Sequence, residues 1–266
     1  RIAATLSLSA VLVEKVRGEL QAAHALRHTL LAHLFERGSS ECHAFKPCKI
    51  HRTYVAKIPA HWEDERLGRS LELVEYGTNA PSNEDGRGFP IIAIPQVVAP
   101  HLTLAEVPSA EVPEAEADAL RLQADDVLLI RTNGNPDYIG RSTIVSPEVA
   151  ATHTIFASYL IRVRSIPLRL SGAYLNYFLA SPLGRRQATA AANTSAGNNN
   201  IGARAIRHFR LPRPPLDEQE RAVAVLDAIE KQIEALSHKT VAATALKTSL
   251  LDSLLTGTVR IPDGVI

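Results

Sequence analysis

The clearest pattern in the sequence is a heptad repeat of mostly apolar positions towards the carboxyl terminus. Residues 222–254 place such positions four and three apart, which predicts a long amphipathic helix with one seam for a partner helix. Three prolines occur just upstream, in residues 211–216, and acidic residues follow in 217–220, where the dipole of a helix favours negative charge. The pattern therefore predicts a helix that begins near residue 216.

The same pattern occurs at the amino terminus. Residues 1–35 align without gaps on residues 221–255, and the matches include positions outside the seam. Both copies run into a glycine, Gly38 and Gly257, the residue type that most often follows the end of a helix. Two unrelated amphipathic helices would not match outside the seam. We therefore interpret the repeat as two long helices that pair with each other as an antiparallel coiled coil.

Between the helices, short apolar runs are separated by Gly, Pro and Asn. We predict a linker at residues 39–60 and a globular region from His61. Strands are predicted at residues 91–94, 127–131, 139–145, 154–157 and 159–163, the last two as a pair, and a helix at 171–180. Residues 187–200 have too few apolar side chains for a core, which predicts an ordered loop or a surface that orders on a ligand. The expected fold class is α+β: a compact β-rich domain flanked by the two long helices.

Composition narrows the class of protein. The chain has 266 residues, 45% of them hydrophobic, and a net charge of +1. No apolar run is long enough to span a membrane, and two cysteines do not make a disulfide framework, which favours the reducing cytoplasm. Cys42, His43, Cys48 and His51 match no common zinc-site spacing, so a plain linker is preferred and no metal or cofactor is expected. Because the chain lacks Met and begins at Arg1, we expect a piece of a longer protein with a further upstream domain.

The near-neutral charge balance hides an uneven distribution. Residues 105–126 are rich in acidic side chains, whereas residues 149–216 contain nine arginines and no Asp or Glu. The nine are Arg162, Arg164, Arg169, Arg185, Arg186, Arg204, Arg207, Arg210 and Arg213. Some of them are expected to pair with acidic residues. The remainder predict a surface for a polyanion, because guanidinium groups suit bidentate contacts to phosphate and guanine.

One short motif raises the question of catalysis. Residues 135–138, Asn-Pro-Asp-Tyr, resemble the Asn-Pro-Pro-Tyr motif with which amino-methyltransferases hold a flipped adenine. Asp137 replaces the second proline, and no strand, Gly-rich turn and helix for S-adenosylmethionine precede it. A loop that faces DNA is the favoured interpretation. No nucleophile–base pair stands out elsewhere, so we expect no catalytic residue and no enzyme activity.

Several segments together resemble a known family, the specificity subunits of Type I restriction-modification enzymes. The segments are Pro-Pro-Leu-Asp-Glu-Gln-Glu-Arg at 214–221, Leu-Leu-Thr-Gly at 254–257, Asp-Val-Leu at 126–128, Asn-Gly-Asn at 133–135 and Gly-Arg at 140–141. In that family, two target-recognition domains each read one half of a bipartite DNA site. Two long helices separate the domains, set the spacer and dock the methyltransferase subunits. Here the resemblance implies a central helix at 1–38, a DNA target-recognition domain at 39–215, and a distal helix and tail at 216–266.

The resemblance and the arginine-rich span together give candidate contacts. Asn or Gln side chains would read adenine and Arg side chains guanine. The candidate DNA contacts are Asn133, Asn135, Tyr138, Arg141, Arg185, Arg186, Gln187, Asn198, Asn199, Asn200 and Arg204. The expected partners are double-stranded DNA, the methyltransferase (modification) subunits, which would dock on Glu218, Gln219 and Arg221, and the restriction subunit. Two copies of the chain could also associate to imitate a whole subunit. Two alternatives stay open: a fragment of a fused DNA adenine methyltransferase, and a coiled-coil scaffold that binds protein.

Overall fold

The computed structural model describes residues 2–38, 44–48, 57–99, 102, 104, 107–195, 197–256 and 258. The chain divides into two compact units, one made of residues 1–30 and 224–266 and the other of residues 31–223. The first unit contains most of two long helices, and the second contains the strands. Within the described ranges, the structure has no helix that is long and apolar enough to cross a membrane.

The two long helices predicted from the repeat are present. Helix α1 (Ile2–Arg37) has 36 residues and the last helix, α8 (Leu216–Leu255), has 40. Helix α1 ends where Gly38 adopts a φ of +87° and donates its N–H to the Leu34 carbonyl at 3.2 Å, which confirms the predicted stop. The corresponding Gly257 lies outside the described residues.

The seam of the two helices is also as predicted. Every seam position that can be described in either helix is buried or half-buried, whereas Leu8 and Val241, which lie outside the seam, are 66% and 68% exposed. Two ion pairs join the helices: Lys239 with Glu19 at 3.9 Å, and Arg27 with Glu230. Since the partner number falls in one helix as it rises in the other, the helices pair antiparallel.

The second unit contains many short strands and helices. The strands are β1 (Phe45–Pro47), β2 (Lys57–Pro59), β3 (Glu63–Arg66), β4 (Leu71–Tyr76), β5 (Ser82–Asn83), β6 (Phe89–Ile92), β7 (Ser109–Ala110), β8 (Val127–Ile130), β9 (Thr132–Asn133), β10 (Ser142–Ile144), β11 (Ile155–Phe156), β12 (Leu160–Ser165), β13 (Asn193–Ser195), β14 (Asn198–Asn200) and β15 (Arg210–Arg213). The helices are α2 (Ile94–Val98), α3 (Glu114–Leu120), α4 (Pro147–Ala150), α5 (Gly172–Ala180), α6 (Pro182–Ala191) and α7 (Ala203–Arg207). Short 3-10 turns occur at Leu67–Arg69 and Pro136–Tyr138.

An antiparallel sheet in the order β10–β8–β12–β4 forms the centre of this unit. Its strand β8 is buried along its whole length, because Leu128 and Ile130 face an apolar core while helix α5 packs on the sheet as well. Full burial of each such side chain contributes about 1.5–3 kcal/mol. Strands β6 and β11 and helices α3 and α4 supply the other side of that core.

Smaller sheets surround the central one. Strands β11, β6, β7 and β5 form a second sheet, in which β11 and β6 are parallel. Strands β13, β14 and β9 form a third, and β15 pairs with β3. Strand β8 and helix α5 confirm the predictions at 127–131 and 171–180, and Ser171 caps α5 by accepting the Tyr174 N–H at 3.0 Å.

Other local predictions were wrong. The linker predicted at 39–60 contains β1 and β2, which pair antiparallel. The strand predicted at 91–94 ends at Ile92, and a helix opens at Ile94. The predicted pairing between segments 154–157 and 159–163 does not form, because β11 pairs with β6 and β12 lies between β8 and β4.

The prediction of a loop at 187–200 is wrong, since this segment contains the end of α6 and the β13–β14 hairpin. Backbone hydrogen bonds hold these elements together, and a low content of apolar side chains does not reveal such bonds. Of the rejected zinc-site residues, Cys42, His43 and His51 lie outside the described residues.

Candidate nucleic-acid interface

Two predicted segments that are distant in the sequence meet in the Asn-rich sheet, by which we mean β9, β13 and β14. Asn199 lies opposite Asn133, and Asn200 lies opposite Thr132. The Asn199 side-chain amide donates to the backbone carbonyls of Asn133 at 3.5 Å and Gly134 at 3.3 Å, across 66 and 65 residues of sequence. Pairing of these strands therefore brings loop 133–141 and strand β14 together into one surface.

Loop 133–141 is shaped by its own asparagines. The Asn133 side-chain oxygen accepts the Asn135 N–H at 2.8 Å, and the Asn135 side-chain oxygen accepts the Asp137 N–H at 2.9 Å. Each amide thus uses its carbonyl oxygen in an Asx turn. The described residues supply no acceptor for the NH2 group of Asn135, which is exposed. This loop consequently presents amide donors of the kind that read base edges.

Two arginines converge beside this loop. The Nε of Arg141 and an Nη of Arg185 both donate to the Asp137 carbonyl at 3.0 Å, and Arg185 also donates to the Ile139 carbonyl at 2.7 Å. The Arg141 guanidinium lies over the Tyr138 ring, 4.7 Å from its centroid. Burial, and then the charge of Arg141, lower the pKa of Arg185. Two cations held side by side favour an anionic ligand, which would relieve their repulsion.

The other predicted DNA contacts divide into exposed and committed side chains. Arg186, Asn198 and Arg204 are exposed, and Asn200 is half-buried beside the loop. Gln187 has a structural contact instead. Its side-chain oxygen accepts the Arg210 N–H at 2.7 Å, and its NH2 group donates to the Arg210 carbonyl at 3.0 Å. This amide therefore ties α6 to β15.

The arginine-rich span is largely neutralised inside the unit. Five of its arginines form ion pairs with carboxylates: Arg162 with Glu75, Arg164 with Asp126, Arg169 with Glu65, Arg210 with Asp64, and Arg213 with Glu63 and Glu65. We call these five the carboxylate-paired arginines. Some pairing was expected, but most of the partners lie outside the acidic stretch 105–126. Fewer of the nine arginines are consequently available to bind a polyanion than the charge of the span indicates.

Two of the predicted partner-docking residues are internal. Glu218 is 4% exposed and accepts hydrogen bonds from the Trp62 indole at 3.0 Å and from His61 at 2.8 Å. Gln219 is fully buried and bonds the backbone of three residues, Ser171, Arg169 and Pro214. Neither side chain lies on a surface, because tertiary contacts cover this face of the first turn of α8. Arg221 is exposed and pairs with Asp217 at 2.8 Å, so it remains a docking prediction.

The sequence prediction left out two residues beside the Asn-rich sheet. The Arg131 guanidinium lies 4.5 Å from the centroid of the Tyr76 ring. The Arg131 carbonyl accepts the Ile201 N–H at 2.8 Å, which places it where β14 ends. A charged residue directly after four apolar residues, and two positions before Asn133, was the available signal for Arg131. Nothing local in the sequence marks Tyr76.

Comparison with known proteins points in one direction. The chain matches no protein-family profile. It is 24% identical over 202 residues to a protein named as the type I restriction enzyme MjaX specificity subunit of Methanocaldococcus jannaschii, over 73% of this chain and 47% of the relative. It is 29% identical over 184 residues to the type I restriction enzyme EcoKI specificity subunit of Escherichia coli, over 66% of this chain and 39% of the relative.

The fold leads to the same group. The crystal structure of the HsdS subunit from Thermoanaerobacter tengcongensis superposes with a TM-score of 0.59 at 19% identity, over 95% of this chain and 55% of that one. That likeness shows the fold, with its two long helices and β-rich domain. The chain spans less than half the length of the two curated relatives described. By sequence, the chain is similar to the specificity subunits of type I restriction enzymes, and its fold is similar to that of an HsdS subunit.

Proposed function

We propose that this chain recognises one half of a bipartite DNA site and carries no catalytic activity of its own. The main support for this proposal is the contact between loop 133–141 and strand β14, which places amide donors and arginines on one surface. Similarity to specificity subunits of type I restriction enzymes supports DNA as the ligand of that surface. The recognition domain would correspond to residues 39–215.

Different side chains are proposed to take different parts of the DNA. The NH2 groups of Asn133, Asn135 and Asn198 suit the N7 acceptor on the major-groove edge of adenine, since the side-chain oxygens of Asn133 and Asn135 already accept backbone N–H groups. Arg141 and Arg185 suit phosphates, because backbone carbonyls already accept hydrogen bonds from the Nε of Arg141 and from the Nη groups of Arg185. Phosphate contacts position a protein on the duplex, and base contacts specify the sequence.

The helices are proposed to serve the assembly. Residues 1–38 and 216–266 would set the spacer between half-sites and dock the modification subunits, with the exposed Arg221 on that surface and the restriction subunit joining the complex. The length of α1 and α8 supports a spacer role, since 36 and 40 residues correspond to roughly 50–60 Å of helix. Two copies of the chain would present two half-site readers, which is the proposed reason for self-association.

The test is selection of random duplexes by the purified chain with its modification subunits. We expect enrichment of one short half-site, repeated twice at a fixed spacing if two copies assemble. Insertion of whole helical turns at equivalent positions of α1 and α8 should change the spacing and leave the half-site unchanged. A pool that stays random after repeated rounds would overturn the proposal.

A further inference from the structure

The end of the central sheet next to the Asn-rich sheet carries a row of aromatic and cationic residues across all four strands. Arg141 lies opposite Ile130, since the Ile130 N–H donates to the Arg141 carbonyl at 2.9 Å. Arg131 follows Ile130, and its N–H donates to the Tyr159 carbonyl at 2.9 Å. Tyr76, on β4, lies opposite Ile161. The row therefore runs from the β10 side to the β4 side.

Strand β9 follows β8 in the chain and belongs to the Asn-rich sheet, so that sheet lies next to the middle of this row. The Arg141 guanidinium stacks on Tyr138 on the β10 side. The Arg131 side chain extends in the opposite direction, since its guanidinium lies over Tyr76 on β4, and β12 separates β4 from β8. Neighbouring strands lie about 4.8 Å apart, so β10 and β4 are separated by roughly 14 Å. This span is close to the width of the major groove, about 12 Å.

Arg131 differs from the carboxylate-paired arginines in how its charge is held. Among the described residues, no carboxylate forms an ion pair with it. Its Nη1 donates to the Ser158 carbonyl at 3.3 Å, and its buried Nε has no acceptor among those residues. The Tyr76 ring is itself fixed, because its hydroxyl accepts the Ala203 N–H at 2.9 Å. A half-buried cation without a carboxylate, held on an exposed tyrosine, is poised for an external anion.

We propose that the Arg131–Tyr76 stack is a second phosphate anchor, and that it brackets the Asn-rich sheet together with the Arg141–Tyr138 stack. The two anchors would hold the backbones on either side of one major groove while the asparagines between them reach the bases. Phosphate is the favoured ligand because Nε is buried and Nη1 is committed, so neither edge of the guanidinium has two open donors to fork onto guanine, whereas a phosphate oxygen needs only one donor. The proposal rests on the proposed DNA recognition and adds a residue and a geometry to it.

The test measures binding of the wild-type chain, R131Q, R141Q and the double variant to a duplex that carries the selected half-site, over a range of salt concentrations. Each single substitution should reduce the slope of log affinity against log salt by about 0.9, and the double by about twice that. Half-site preference should not change. R87Q is the matched control, since exposed Arg87 is already paired with Asp85 and Glu111.

Phosphate ethylation interference separates the two anchors. The wild-type chain should show two clusters of sensitive phosphates, one on each DNA strand, and R131Q should lose one cluster while R141Q loses the other. An unchanged slope and both clusters in R131Q would overturn this inference, as would a changed base preference. Absence of salt-dependent binding by the wild-type chain would instead overturn the proposed function.

A second pair of variants keeps the test independent of folding. Y76F retains the ring under Arg131 but loses the hydroxyl that accepts the Ala203 N–H, whereas Y76L removes the ring as well. Y76L should therefore weaken binding as R131Q does, by several-fold at low salt, and Y76F should weaken it less. The thermal midpoint of each variant shows whether the β-rich unit is intact. Equal binding by Y76L and Y76F, with both folded, would contradict the role of the stack.

Discussion

Two regions of the β-rich unit use the same side chain for different purposes. The carboxylate-paired arginines are held by Glu and Asp side chains, as in the bidentate contact of Arg164 with Asp126 at 2.7 and 2.8 Å. Beside the Asn-rich sheet, Arg131 and Arg141 stack on tyrosines, and within the described part of the chain they bond only backbone carbonyls. The number of arginines in a segment therefore does not locate a polyanion surface, whereas the partner of each guanidinium does.

The physical cause is desolvation. A buried cation requires a nearby negative charge, and carboxylates supply it permanently for Arg162, which is 2% exposed. Burial, and then the charge of Arg164, still lower the pKa of Arg162 to about 10. A cation at a binding surface is more useful without such a partner, because the ligand then provides the charge. We therefore expect the carboxylate-paired arginines to contribute to stability, and Arg131 and Arg141 to contribute to DNA binding.

The largest expected effect is on stability. Arg162→Met removes the partner of Glu75 and the hydrogen bonds to the Arg121 carbonyl at 2.6 Å and the Ala119 carbonyl at 2.8 Å. We expect a loss of about 3–5 kcal/mol in the free energy of unfolding, measured by urea denaturation. The exposed Arg66→Met is the control and should change this free energy by less than about 0.5 kcal/mol. A small effect of Arg162→Met would contradict a stabilising role for the carboxylate-paired arginines.

The second prediction is a loss of DNA affinity with no change in the stability of the fold. Arg141→Gln should leave the urea midpoint of unfolding near that of the wild type, because Arg141 is exposed. Its affinity should fall by a similar factor for the selected half-site and for unrelated duplexes, since phosphate contacts carry no direct sequence information. Fluorescence anisotropy on both duplexes measures this. A loss confined to the selected half-site would reassign Arg141 to base reading.

The smallest expected effect is pH-dependent. A hydrogen bond from Arg213 lowers the pKa of Glu63 below its ordinary value of 4.5. The stabilisation by this pair is therefore fully present above pH 4.5 and is lost as the pH falls through the lower, folded-state pKa. Glu63→Gln should reduce the fall in urea midpoint between pH 5 and pH 3, though only slightly, because the Glu63 side chain is 58% exposed. Identical dependence of the urea midpoint on pH in the wild type and in Glu63→Gln would contradict a contribution of this ion pair to stability.

The sequence was informative where structure depends on local periodicity. The heptad seam and the repeat were sufficient for α1, α8 and their antiparallel pairing, because each seam position follows from its neighbours three and four residues away. Strand β8 was also predicted from local sequence, as a run of four apolar residues that follows a turn. The parallel pairing of β11 with β6 could not be predicted, since it depends on residues far apart in the chain.

The candidate site divides in the same way. The Asn-Gly-Asn segment at 133–135 was found from its turn chemistry, but its contact with Asn199 crosses 66 residues of sequence. The sequence predicts a surface position for Glu218 because this residue lies outside the heptad seam. Its burial depends on Trp62, which lies 156 residues away, and no local pattern reveals that contact.

The most direct test of the account is selection of random duplexes with a variant whose recognition amides are shortened. The double substitution Asn135→Ser and Asn198→Ser keeps a hydroxyl that can accept the Asp137 N–H, so the turn is maintained, but removes both NH2 groups. We predict that the variant retains the salt dependence of the wild type and enriches a half-site that is degenerate at the positions the amides read. Enrichment of the unchanged wild-type half-site would contradict the claim that the Asn-rich sheet and its loop read the DNA.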